Sequence, residues 1–131
     1  MHAGLYDDNP RAKELVWIML ANRAARGLAS LYVQANELNL EQAGQFHAAW
    51  TPRGWAVAKD QLTAFEQLLY LRQPGYGTSY VTGKVLIDRL MAEYAHQQEM
   101  AGKPFVLREF LDRFNGAGMI PVTLMESEMI R

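Results

Sequence analysis

The stretch from Thr78 to Glu99 has the strongest helical periodicity in the chain. Its apolar positions fall within a sector of about 100° at 3.6 residues per turn. They are Tyr80, Gly83, Ile87, Leu90, Met91 and Tyr94. This stripe predicts a long amphipathic helix with one buried face. No segment shows the alternation of a half-buried strand, so the sequence predicts an all-α fold.

Capping signals predict two helices before this one. Asn9-Pro10 is typical of an N-cap followed by proline in the first turn, and the apolar spacing that follows predicts a helix to about Ala35. Asn39 and Gln42 have the spacing of a capping box at the start of a second, short helix.

Thr51-Pro52 repeats the cap-plus-proline signal, and a third helix is expected after it. We expect one side of that helix to carry Leu62, Phe65, Leu69 and Leu71. Pro74 and Gly75 should end it. Beyond the long helix, breaks at residues 102–104 and 115–118 predict two more short helices, so that the chain has five to six in all.

Composition limits the class of protein. A chain of 131 residues with 50% hydrophobic content suits one domain, residues 1–131. The net charge of −1 argues against a nucleic-acid partner. Cysteine is absent, no export signal is visible, and no apolar run is long enough to cross a membrane, which together favour the cytoplasm.

The segment QPGYGTSYVTGK, residues 73–84, has the glycine content of a binding loop. It is not a phosphate-binding P-loop, because it lacks the G-x-x-x-x-G-K-[ST] spacing and a hydroxyl after Lys84. Two interpretations stay open: a tight turn that leads into the long helix, or the rim of a site.

The three histidines do not predict a metal site. His2, His47 and His96 lie on separate segments, and the sequence contains no H-E-x-x-H. His96 is followed by Glu99 on the same helical face, but this face is polar and expected to be solvated. A serine elbow and a cysteine nucleophile are also missing from the sequence.

Tyr80 is the candidate catalytic residue, because a tyrosine hydroxyl can donate a hydrogen bond to a developing oxyanion. Its place on the apolar stripe equally suits a buried ring. The flanking Arg72, Gln73, Tyr76 and Lys84 are candidate substrate-binding residues, and ordinary surface polarity is the alternative.

Four blocks in order resemble the C-terminal segments of the bacterial domain-of-unknown-function 885 family. They are GLYDD, ANRAARGLASLYVQANELNLEQA, QPGYGTSYVTGK and FVLREFLDRFNGAGMIPVTLM, and they span nearly the whole chain. The resemblance implies the C-terminal lobe of a helical, gluzincin-like zinc metallopeptidase, one wall of its substrate cleft. The H-E-x-x-H and third ligand would then lie before Met1, zinc would belong to the longer protein, and this chain alone would be inactive.

The resemblance carries over residue by residue. Tyr80 matches the family's turn tyrosine. Related peptidases use a tyrosine in this region to stabilise the tetrahedral intermediate, so the resemblance implies that role for Tyr80. Pro74, Gly75, Gly83 and Lys84 also match the family pattern. Tyr76 stands where the family usually has glutamine. Ser30 and Gln34 replace a common aspartate and histidine, which implies an altered role and a divergent subfamily.

The implied partners are the upstream catalytic part and a peptide substrate. A lone lobe would expose apolar surface, which predicts self-association. The alternative function is a noncatalytic helical interaction module that lays its Tyr80 to Tyr94 stripe against a partner helix.

Overall fold

A computed structural model describes residues 4–130, and it confirms the predicted all-α fold, with six α-helices in that range. The helices are α1 Pro10–Gln34, α2 Leu40–Trp50, α3 Gln61–Arg72, α4 Tyr76–Met100, α5 Leu107–Gly116 and α6 Val122–Met129. Among these residues, no helix has the length and apolar content needed to cross a membrane.

The first two helices begin at the predicted caps. The Asn9 side chain accepts a hydrogen bond of 3.1 Å from the Ala12 N–H, with Pro10 in the first turn of α1. At α2, the Asn39 side chain accepts from the Gln42 N–H and the Gln42 side chain accepts from the Asn39 N–H, each at 2.9 Å. This reciprocal pair is the predicted capping box.

The third helix starts later than the Thr51-Pro52 signal predicts. Pro52–Gly54 forms only a 3₁₀ turn, and the Thr51 hydroxyl donates to the His47 carbonyl at 2.8 Å instead of capping a helix. Arg53 has a φ of 62°, outside the helical region, so the turn cannot continue. Asp60 is the actual cap of α3, accepting from the Leu62 N–H at 3.3 Å.

The chain separates into two compact units, one reaching to Val81 and one beginning at Thr82. Helix α4 contributes its first residues to the first unit and the remainder to the second. The expectation of one domain over residues 1–131 stays a prediction.

The first unit packs α1, α2 and α3 around a core of small and polar side chains. The expected apolar side of α3 faces outward, with Leu62 63% and Phe65 61% exposed, while Thr63, Gln67 and Tyr70 face inward. The inner side of α3 meets the buried Arg26 and His47, and their polar groups need hydrogen-bonding neighbours rather than leucines.

The second unit has an apolar core from α4, α5 and α6. Its buried members are Leu90, Tyr94, Phe110, Met125 and Met129. The rings of Tyr94 and Phe110 lie 5.7 Å apart, and Arg113 lies 5.7 Å from the Tyr94 ring centre. Part of the stripe predicted on α4 is therefore buried inside this unit.

Candidate functional site

The segment of residues 73–84 is the end of α3 and the start of α4, joined by a tight turn. Gly75 has a φ of 83°, a conformation that favours glycine. In the first turn of α4, the Thr78 hydroxyl donates to the Gly75 carbonyl at 3.0 Å and the Ser79 hydroxyl donates to the Tyr76 carbonyl at 2.7 Å. The turn fixes where α4 begins and therefore which way its first side chains point.

Two tyrosines one helical turn apart form the centre of the candidate site. The hydroxyls of Tyr76 and Tyr80 are hydrogen-bonded at 3.0 Å, and the two rings meet edge to face at 5.8 Å. Tyr76 is 41% and Tyr80 37% exposed, so the alternative of a buried Tyr80 ring is wrong. We call this pair the tyrosine pair.

Helix α1 approaches the start of α4 closely enough to set two arginines beside the tyrosine pair. A Cβ on Gly27 would lie 2.7 Å from the Gly77 carbonyl oxygen, so only glycine permits this approach. The guanidinium of Arg23 lies 4.8 Å and that of Arg26 lies 5.3 Å from the centre of the Tyr80 ring. These are cation–π distances.

Arg26 is a buried cation, only 8% exposed. Its Nη1 donates to the Glu66 carboxylate at 2.5 Å, and its guanidinium also lies 5.5 Å from the Tyr70 ring centre. The Nε–H is buried without a hydrogen-bond partner among residues 4–130. The charge of Arg26 is thus compensated by one carboxylate and by the faces of two rings.

Tyr70 and Tyr76 are held in the protonated state. Burial, as the largest cause, raises the pKa of Tyr70 to about 12. The hydrogen bond with Tyr80 is the largest cause of a raised pKa at Tyr76, followed by the electrostatic interaction with Tyr80. At neutral pH these phenols are hydrogen-bond donors rather than bases.

His47 lies in the first unit, between α1 and α3, and is 1% exposed. Its Nε2 is 3.1 Å from the Asn22 amide nitrogen, and its Nδ1 is 3.5 Å from that of Gln67. Burial, aided by the charge of Arg26, lowers the pKa of His47 to about 4, so the ring is neutral at pH 7.

The tautomer of His47 depends on how the Asn22 and Gln67 amides are oriented. If Asn22 donates to Nε2, the ring proton is on Nδ1 and needs an acceptor. A half-turn of the Gln67 amide presents its Oε1, which otherwise lacks a partner among residues 4–130, to that proton. His47 is then a fully hydrogen-bonded structural residue.

The other predicted site residues have different surroundings. Arg72 is the last residue of α3 and Gln73 is its C-cap, and both are exposed next to Tyr76. Lys84 belongs to the second unit, where its amino group pairs with Asp88. The structure therefore brings Arg72 and Gln73 to the same turn as the tyrosine pair, while Lys84 already has an acidic partner.

The two positions that depart from the family pattern have packing and capping contacts. Ser30 is buried beside Gly77. The Gln34 side-chain amide donates to the Tyr70 carbonyl at 3.3 Å and to the Leu71 carbonyl at 3.0 Å. These carbonyls are in the last turn of α3, where they lack partners within the helix. Gln34 therefore stabilises the end of α3.

Sequence reasoning missed Arg23, Arg26 and Glu66. The spacing of the two arginines places them on one face of α1, which was visible in the sequence. Their meeting with Tyr80 and Glu66 depends on how the helices pack, and no local pattern reports this.

The two described histidines, His47 and His96, belong to no group that could hold a metal ion. Among residues 4–130, no group of three or more histidine, aspartate or glutamate side chains could hold a metal ion. His96 Nδ1 lies 3.9 Å from the Glu99 carboxylate on an exposed face, and His2 lies outside the described residues. The residues that the structure describes therefore do not fit the zinc implied by the family resemblance.

The chain matches no protein-family model, no curated protein and no solved structure. The fold and the site define an all-α protein with an exposed tyrosine pair beside two arginines. Membership of the domain-of-unknown-function 885 family stays a prediction, which depends on the four sequence blocks.

Proposed function

We propose that this chain is the C-terminal helical lobe of a zinc-peptidase-like hydrolase and forms one wall of its substrate cleft. The tyrosine pair carries the proposal. In a pair of hydroxyls, one donates to the other, and the acceptor keeps its own proton free. An exposed phenol hydroxyl beside arginine guanidinium groups is suited to donate to a developing oxyanion.

Tyr80 is the proposed donor, because both Arg23 and Arg26 lie over its ring. The positive charge of Arg23 favours negative charge developing nearby, whereas that of Arg26 is already compensated by Glu66. Arg72, Gln73 and Tyr76 surround the same turn and are the proposed contacts for a peptide backbone or carboxylate. Lys84 stays a prediction as a substrate-binding residue.

Zinc and its chemistry belong, in this proposal, to the upstream part of a longer protein. Residues 4–130 supply no fitting set of ligands for the metal. The chain alone is expected to be inactive.

The test uses a longer protein that includes any H-E-x-x-H encoded in frame upstream. We expect zinc to bind the longer protein and not the 131-residue chain in a calorimetric titration. Tyr80→Phe in the longer protein should lower kcat about 10²–10³-fold, as loss of an oxyanion donor does, and leave zinc affinity unchanged. Tyr32→Phe, whose ring contacts Phe46, is the matched control.

Two results would refute the peptidase proposal. One is full activity of the Tyr80→Phe enzyme when the Tyr32→Phe control is also active. The other is peptidase activity in the metal-free 131-residue chain. An upstream reading frame without H-E-x-x-H would favour the interaction module.

The interaction module is the second candidate, and the outward side of α3 favours it. Leu62 and Phe65 are exposed there, whereas Leu90 and Tyr94 of the stripe predicted to meet a partner helix are buried in the second unit. We infer that α3 takes part in self-association. Sedimentation should show concentration-dependent dimers that Phe65→Glu weakens, and a strict monomer at high concentration would contradict this.

A further inference from the structure

A cleft of about 430 Å³ opens in the first unit beside His47, between α1, α2, residues 54–57 and the start of α3. Small-molecule sites have volumes from about 300 Å³ upward, and they combine apolar walls with a few polar groups. This cleft has such walls: Met19, Trp55, Val57 and Leu62 all line it and all are exposed. Covering these side chains would remove apolar surface from water, which is favourable.

The charges that line the cleft do not cancel. Arg26 is engaged by Glu66, and the rings of Tyr70 and Tyr80 lie against its guanidinium. His47 adds no charge at neutral pH, because burial holds its pKa at about 4. The Asp60 carboxylate is left without an ion pair among residues 4–130, and the one hydrogen bond of that carboxylate there is the cap from the Leu62 N–H.

The lining therefore has two carboxylates and one guanidinium, a net negative charge of one. An anionic ligand would be repelled by the carboxylates of both Glu66 and Asp60. A cation would not be repelled by these carboxylates, and the exposed indole of Trp55 offers it a favourable ring face.

We propose that this cleft binds a small organic ammonium ion with an apolar body, whose ammonium group pairs with Asp60 and whose body covers the wall of Trp55, Val57 and Leu62. The proposal does not depend on the peptidase proposal, because no residue of the tyrosine pair lines the cleft.

The test compares two probes of similar size and opposite charge, 2-phenylethylamine and 3-phenylpropionate, by calorimetry on the full chain at about pH 7, where His47 is neutral. We expect 2-phenylethylamine to bind with a Kd of about 1 mM and 3-phenylpropionate to bind at least about fivefold more weakly. The interaction of two unit charges at contact distance in water is about 1 kcal/mol, which corresponds to about a fivefold change in Kd.

Two variants test whether Asp60 is the carboxylate that pairs with the ammonium group. Asp60→Asn removes the carboxylate and keeps a good N-cap, so α3 should still form. It should weaken binding of 2-phenylethylamine about fivefold. Asp88→Asn removes the same charge from a residue outside the cleft and should leave binding unchanged. Circular dichroism checks that both variants are folded.

Three results would each overturn the proposal. They are equal or tighter binding of 3-phenylpropionate, no binding of 2-phenylethylamine up to about 10 mM, and unchanged binding by a folded Asp60→Asn protein.

Discussion

Replacing Gly27 with alanine tests the contact that brings the arginines of α1 to the tyrosine pair. The new Cβ would lie 2.7 Å from the Gly77 carbonyl oxygen and 3.2 Å from the Gly77 carbonyl carbon. These are backbone atoms, so no side-chain rotation can relieve the clash, and α1 must move away from the start of α4. Overpacking of this kind costs about 1–3 kcal/mol.

Gly27→Ala also has a favourable effect on stability, and the matched variant Gly83→Ala measures that effect by itself. Alanine stabilises a helix interior by about 1 kcal/mol relative to glycine. Gly83 lies inside α4, and a Cβ added there would meet no atom within 4 Å among the described residues, so Gly83→Ala should show only this gain. The difference in stability between Gly27→Ala and Gly83→Ala should therefore equal the cost of the clash, about 1–3 kcal/mol.

Urea unfolding followed by circular dichroism measures both variants, with the free energy of unfolding extrapolated to water. Gly83→Ala should be more stable than the original chain, and Gly27→Ala should be clearly less stable than Gly83→Ala. Equal stability of the two variants would show that α1 and α4 do not approach at Gly27 and Gly77, and the placement of Arg23 and Arg26 over Tyr80 would lose its basis.

Two further predictions concern the buried groups of the first unit. Glu66→Gln leaves Arg26 buried without its counter-charge and should destabilise the protein by about 1–3 kcal/mol in urea unfolding. Asp88→Asn, which breaks an exposed pair, should cost at most about 0.5 kcal/mol, and equal costs would contradict the burial of Arg26. For His47, the folded-state pKa of about 4 lies below its ordinary value of 6.5, so the unfolded chain binds a proton that the folded chain excludes. The stability that depends on a neutral His47 is fully present above about pH 6.5 and is lost as pH falls toward about 4, by at most about 3 kcal/mol. His47→Gln should reduce the slope of stability against pH in that window, and an unchanged slope would show that His47 is not buried as a neutral ring.

The fold class and most helix limits could be predicted because they depend on local chemistry. Asn9, Asn39 and Gln42 bond to backbone groups within three residues, and Pro74 and Gly75 interrupt any helix they enter. The Thr51-Pro52 signal failed because the following Arg53 adopts a positive φ, which the sequence does not indicate.

The tyrosine pair was not predicted, because the expected helix began at Thr78 and left Tyr76 outside it. Tyr76 and Tyr80 are one turn apart, so a helix brings their hydroxyls together without help from the rest of the chain. Their exposure was not predictable, because periodicity places a residue on a face of its helix and does not say whether another helix covers that face.

The sequence by itself determined that this protein is helical and where most of its helices begin and end. Only the tertiary structure decided that α3 turns its polar side inward, and that Arg26 meets Glu66 forty positions away. The physical reason is that caps and periodicity act over a few residues, whereas a buried charge selects its partners from whichever helices pack around it.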